Sequence, residues 1–147
     1  MSLQEQLKSE LKTAMQAKNK ARVGTIRLAM AEIKQKEVDG RKELTDDEIL
    51  AVLTKMVKQR KDSISQFTAA GRQDLADNEA AEIEVLQGFM PQPLSDAEID
   101  ALIDTTLQQL AVTSPQEMGK VMNALRPQVQ GRADMAVISA EIKARLA

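Results

Sequence analysis

The sequence predicts an all-α protein, an N-terminal four-helix bundle followed by a small three-helix C-terminal unit. Three observations predict it. Apolar residues recur at spacings of three and four along nearly the whole chain. Capping boxes, a Ser or Thr followed three residues later by Glu, mark helix starts at Ser2/Glu5, Thr45/Glu48 and Ser95/Glu98. No stretch alternates with the period of two that a half-buried strand needs.

Taken in order, Leu3, Leu7, Leu11, Ala14 and Met15 give the first helix its inward face, and Val23, Ile26, Met30 and Ile33 the second. Asp39-Gly40 reads as a stop. Thr45 opens a long third helix through Ile49, Leu53, Met56, Ile64 and Phe67, which Gly71 ends in a left-handed cap. Asp74 is placed to cap a fourth helix bearing Leu75, Ile83 and Leu86. In GFMPQPLSD, two prolines within three residues cannot sit inside a continuing helix, because each lacks an amide hydrogen and restricts its predecessor. The domain boundary is therefore expected there: a helical bundle over 1–90, a junction at 91–94 holding Pro91, and a three-helix tail-like domain over 95–147.

The fifth helix follows Ser95 with Ile99, Leu102, Ile103, Leu107 and Leu110 inward. Ser114-Pro115-Gln116-Glu117 is the sharpest start signal, a cap serine, proline at the first helical position and glutamate at the third. That sixth helix carries Met118, Val121, Met122 and Leu125 and is expected to stop at Pro127. Asp134 caps the last, with Ile138, Ile142 and Leu146 inward.

Composition excludes more than it suggests. The 147 residues contain no Cys, His, Trp or Tyr and only two Phe. There is no thiol nucleophile, no disulfide framework, no zinc–cysteine site and no histidine base, so a serine hydrolase triad of the usual kind cannot be built. Two carboxylates on one face at Glu79 and Glu82, without a ligand loop, do not make a hard-cation site. No metal and no cofactor are expected. No apolar run approaches a membrane span, and the polar, periodic MSLQEQLKSE is unlike a signal or transit peptide. On that ground the protein is expected in the cytoplasm, away from membranes.

The net charge of −2 hides a local excess: residues 12–42 hold nine Lys or Arg against three acids. Within it Lys20, Arg27 and Lys34 are spaced by seven, nearly two helical turns, and share one stripe. That stripe is either a solvated rim covering a core edge or a ridge that tracks phosphates. In the C-terminal part the anion candidates are Lys120, Arg126, Arg132 and Lys143. Gly119 beside Lys120 either admits a neighbouring helix closely or admits a phosphate. The first reading is preferred, and under it Gly119→Ala destabilises the C-terminal unit. Gly131 is expected to supply a turn with positive φ, and Arg132 to bond carbonyls of the helix before it. Arg72, among Asp74, Glu79 and Glu82, reads as an ion-pair fastener between helices. The eight Met read as core filler.

Four segments in this order carry a resemblance: TIRLAMAEIK, then TAAGRQDLADNEAAEIEVL, then FMPQPLSDAEI, and finally MGKVMNALRPQVQGRAD with VISAEIK. Together they span nearly the whole chain, and they resemble the YqeY family, the GatB/YqeY domain. Its fold is shared with the C-terminal region of the B subunit of the bacterial tRNA-dependent amidotransferase. Two positions depart from the pattern. Phe89-Met90-Pro91 stands where the family usually has Tyr-Leu-Pro, and Met135-Ala136 stands where Gly-Lys is common, which removes a cation from the anion candidates.

The resemblance implies a helical and tail region that meets the body of tRNA, with phosphorylation and amide transfer located elsewhere. It also implies a label of amidotransferase-like, carbon–nitrogen ligase activity with glutamine as amido-N-donor, although no Ser-Ser-Lys amidase signature or phosphate loop is present. Three readings follow: a non-catalytic module binding tRNA or another structured RNA, an accessory subunit working with amidotransferase subunits, and a protein-interaction adaptor. Phe67 and Phe89 both fall at core-like positions, so RNA contact would rest on phosphate and shape and not on base stacking.

Overall fold

The computed structural model describes residues 2–147 and is all-α; no strand occurs among the described residues. Seven α-helices follow in order: α1 (Leu3–Gln16), α2 (Lys20–Gly40), α3 (Asp46–Ala69), α4 (Gln73–Gln87), α5 (Asp96–Leu110), α6 (Met118–Val129) and α7 (Met135–Leu146). A short 3-10 turn, Pro115–Glu117, leads into α6. The chain divides into two compact units, Met1–Pro91 and Gln92–Ala147.

In the first unit, α1 and α3 open with complete capping boxes, Ser2 with Glu5 and Thr45 with Glu48. Each satisfies orphan amides in both directions and fixes where the helix begins. The core gathers Leu7, Ile26, Ile33, Ile49, Leu53, Met56 and Leu86, with Phe89 at its margin and Met90 packed on it. In α2 the buried Ile26, Ala29 and Ile33 fix the rotation of the helix about its axis. Gly71, at φ +74°, ends α3 in the left-handed region, and α4 returns antiparallel against α3.

In the second unit α5 has its own capping box, Ser95 with Glu98, and Asp134 caps α7 by accepting from the Ala136 amide. Ile103, Val121, Leu125, Val129, Ile138 and Ile142 are fully buried, and Leu94 packs against them.

Several expectations are corrected. Met15 is half-exposed and not inward. Gly40 is the last residue of α2, and the left-handed stop is Arg41 at φ 54°. Phe67 is only half-buried and lies outside the core cluster. Asp74 does not cap α4: the helix starts at Gln73, two residues earlier than that cap would place it, and the carboxylate takes the Arg72 guanidinium instead. Ser114 bonds the Gln116 side chain, so no capping box forms and the Pro115–Glu117 segment tightens into the 3-10 turn. Pro127 does not end α6, which runs to Val129. In the last turn a proline costs only the bond to the Asn123 carbonyl, and Asn123 is exposed to water.

Candidate nucleic-acid interface

The buried face of α2 decides what its other faces carry. With Ile26, Ala29 and Ile33 inward, Lys20, Arg27 and Lys34 are all exposed. At about 1.5 Å rise per residue they form a straight ridge some 21 Å long. The salt bridges of this unit use other cations: Arg22 with Glu10, Lys42 with Glu48, Arg60 with Glu82 and Arg72 with Asp74. Among the described residues no acid lies within ion-pair distance of Lys20, Arg27 or Lys34. The Arg27 guanidinium donates to the Met15 sulfur at 3.9 Å. Three cations on one rigid face, none of them in a close ion pair and only Lys34 near the charge of Glu37, can meet a polyanion at little cost in broken ion pairs.

Glu37, near the end of α2, was not legible as special. Its carboxylate accepts from the Gln4 side chain at 2.8 Å and from the Leu44 amide at 3.0 Å, tying α1 and the α2–α3 loop to α2. The Leu44 bond first, then Gln4 and the charges of Lys34 and Lys8, hold this carboxyl below the ordinary carboxylate value. A cleft of about 260 Å³ lined by Gln6, Ser9, Glu10, Arg22, Gly88 and Phe89 also lies in this unit. Its cation and its acid are already paired with each other at 3.0 Å.

Arg72 is no fastener between helices. It pairs with Asp74 two residues on, and both side chains are more than half exposed. The fastener is Arg60, only 14% exposed, which reaches Glu82 at 2.8 Å and the Met56 carbonyl. Gly71 is the midpoint of the 60–82 interval, so an antiparallel hairpin turning there sets these two opposite each other. That was the available signal.

In the second unit the anion candidates do not converge. Lys120 and Arg126 are six residues apart on α6, about 240° around the axis, and face different ways. Lys120, Arg126 and Lys143 are exposed. The Arg132 side chain bonds the junction and not the helix before it, where only its backbone amide reaches a carbonyl, that of Val129. Its Nε donates to the Gln92 carbonyl at 2.9 Å while its own carbonyl accepts from the Leu94 amide at 2.8 Å, a clamp on the segment before α5. Gly131, buried with φ +76°, makes the turn that aims it.

Gly119 is corrected. It is exposed near the start of α6, and a Cβ added there would meet nothing within 4 Å. No helix approaches it. The residue missed in this unit is Arg145, which pairs with both Asp100 and Asp104 on α5. Separations of 45 and 41 residues leave no local trace of such a pair.

A family model described as Yqey-like protein matches residues 4–146. Among the similar proteins are several named Altered inheritance of mitochondria protein 41, mitochondrial. That of Lachancea thermotolerans is 40% identical over 112 residues, covering 74% of this chain and 60% of its own length. That of Pyrenophora tritici-repentis is 33% identical over 140 residues, 93% of this chain and 77% of its own. That of Kluyveromyces lactis is 37% identical over 141 residues, 94% and 72%. These names overturn the cytoplasmic expectation. The polar N-terminal stretch it rested on is α1, with Leu3 and Leu7 in the core, so its periodicity reports packing and says nothing of location. No helix among the described residues is long and apolar enough to cross a membrane.

Proposed function

The chain belongs to the Yqey-like family, and from that premise we propose that it is a non-catalytic helical module that binds tRNA or another structured RNA through phosphate and shape. In this reading a four-helix bundle presents the binding surface and a three-helix unit follows it. The ridge of Lys20, Arg27 and Lys34, exposed and free of ion pairs, is the observation that carries it. The side chains able to do chemistry are largely engaged in architecture: Ser2, Ser95, Glu5, Glu48 and Glu98 cap helices, and Glu82, Asp100 and Asp104 hold arginines. That supports a binding role over an autonomous amidotransferase. Phe89 is buried and Phe67 half-buried, which supports a folded RNA over an unstacked single strand. The names of the relatives further support a mitochondrial setting for the module.

Titration with bulk tRNA at two ionic strengths tests the reading. Binding should weaken steeply with salt, and each of Lys20→Ala, Arg27→Ala and Lys34→Ala should lower the log–log slope by about 0.9. No binding at low salt would end this reading. Binding unaffected by the triple variant would move the interface off α2.

A further inference from the structure

We propose that the outward face of α2 is a self-association surface that pairs, in parallel and in register, with the same helix of a second copy of this chain. The inference goes beyond RNA binding and does not rest on it. Ala21, Gly24, Leu28, Ala31, Gln35 and Val38 are spaced three, four, three, four and three, the seam of a two-stranded coiled coil. All six are exposed, although Leu28 and Val38 are large apolar side chains, 49% and 59% exposed. Gly24 has open space where a Cβ would stand, so a second backbone can come close. α2 is thus apolar on two faces, and only one of them is covered by its own core.

The flanking charges identify the occupant. In this register the exposed Lys20, Arg27 and Lys34 line one edge of the seam and the exposed Glu32 and Asp39 line the other, where Thr25 is buried in its own unit. In a parallel pair each edge meets the opposite edge of its neighbour, displaced by five residues. Arg27 then faces Glu32 of the second copy and Lys34 faces Asp39, and two-fold symmetry repeats both pairs. An antiparallel pair would set cation against cation and acid against acid. Gln35, the polar position of the seam, bonds Asp39 of its own helix at 2.9 Å, leaving the rest of its amide to meet its twin and fix the register. The seam is about 26 Å long and has only two large apolar positions, so the expected dissociation constant is on the order of 100 µM.

The test uses the full chain, nuclease-treated, in sedimentation equilibrium over a range of concentrations. The wild type should pass from monomer to dimer. Leu28→Glu should remain monomeric with an unchanged melting temperature, since Leu28 touches no core. An all-acidic seam (Arg27→Glu with Lys34→Glu) and an all-basic seam (Glu32→Lys with Asp39→Lys) should each associate at least about tenfold more weakly than wild type, and a mixture of the two should pair. The chain has no cysteine, so Val38→Cys introduces one thiol. In a parallel pair it meets its twin and oxidises to a disulfide-linked dimer, whereas in an antiparallel pair it lies opposite residue 21.

A monomer persisting to about 1 mM would overturn the proposal. So would association indifferent to Leu28→Glu, or association abolished by nuclease. The basic-seam variant also separates this inference from the RNA reading. It should lose pairing and bind RNA more tightly, because pairing and phosphate compete for Arg27 and Lys34. If RNA binding is absent altogether, the pairing test stands unchanged.

Discussion

Replacing Gly119 by alanine should stabilise the protein, and the structure fixes both sign and size. Gly119 is the second residue of α6, its φ is not positive, and an added methyl group meets no heavy atom within 4 Å. Alanine therefore acts only through helix propensity. That difference is about 1 kcal/mol in a helix interior and about half that close to an end. For a domain of this size it corresponds to a rise of about 2–4 °C in the melting temperature. Gly131→Ala is the control of opposite sign. At φ +76° an L side chain is strained by about 1–2 kcal/mol, so the same scan should fall by about 5–10 °C. Calorimetry on the full chain reads both, with loss of the far-ultraviolet helix signal as a second probe. A lower melting temperature for Gly119→Ala would mean that something approaches this position after all, and the reasoning from open space would fail.

Ala111, the C-cap of α5, sits in the left-handed region at φ 52°, so Ala111→Gly should raise stability by about 1 kcal/mol in a thermal melt. Glu37 has a folded-state pKa below its ordinary 4.5, so its stabilisation is present above about that pH and is lost as pH falls through the lower folded value. Glu37→Gln should therefore destabilise at neutral pH and flatten this part of the acid limb of a denaturation series. In urea titrations Arg60→Ala should cost about 1 kcal/mol and Arg72→Ala less than about 0.5, because only the first removes a half-sheltered tie between helices. Residues 1–91 expressed alone should fold as a helical bundle with a cooperative melt; a chain without helix signal would refute independent folding of that unit.

What was legible in the sequence was local. The boxes at Ser2, Thr45 and Ser95 need only four residues each, and all three form as read. Gly71 and Gly131 were legible because a left-handed backbone is a property of one residue. Ser114 misled because its hydroxyl had a nearer partner in Gln116, a choice that spacing cannot foresee. Pro127 misled because a proline in the final turn loses one bond already near solvent. Gly119 was read through the common association of helical glycine with packing, whereas its exposure depends on what lies opposite α6. The Lys20, Arg27 and Lys34 stripe was legible from periodicity alone. That it stands free of ion pairs required the positions of every acid in the unit. The pairing of Arg145 with Asp100 and Asp104 is tertiary and left no local sign.

The clasp on Glu37 also supplies a timing device. The Leu44 amide lies in the loop between α2 and α3, outside any helical ladder, and its hydrogen bond runs to the Glu37 carboxylate. An amide in such a loop ordinarily trades its hydrogen for deuterium almost as fast as a free peptide. Any slowing at Leu44 therefore counts the moments when this corner is shut. Because Gln4 of α1 grips the same carboxylate, the exchange rate at that one amide should quicken when the start of α1 frays, some forty residues away in sequence.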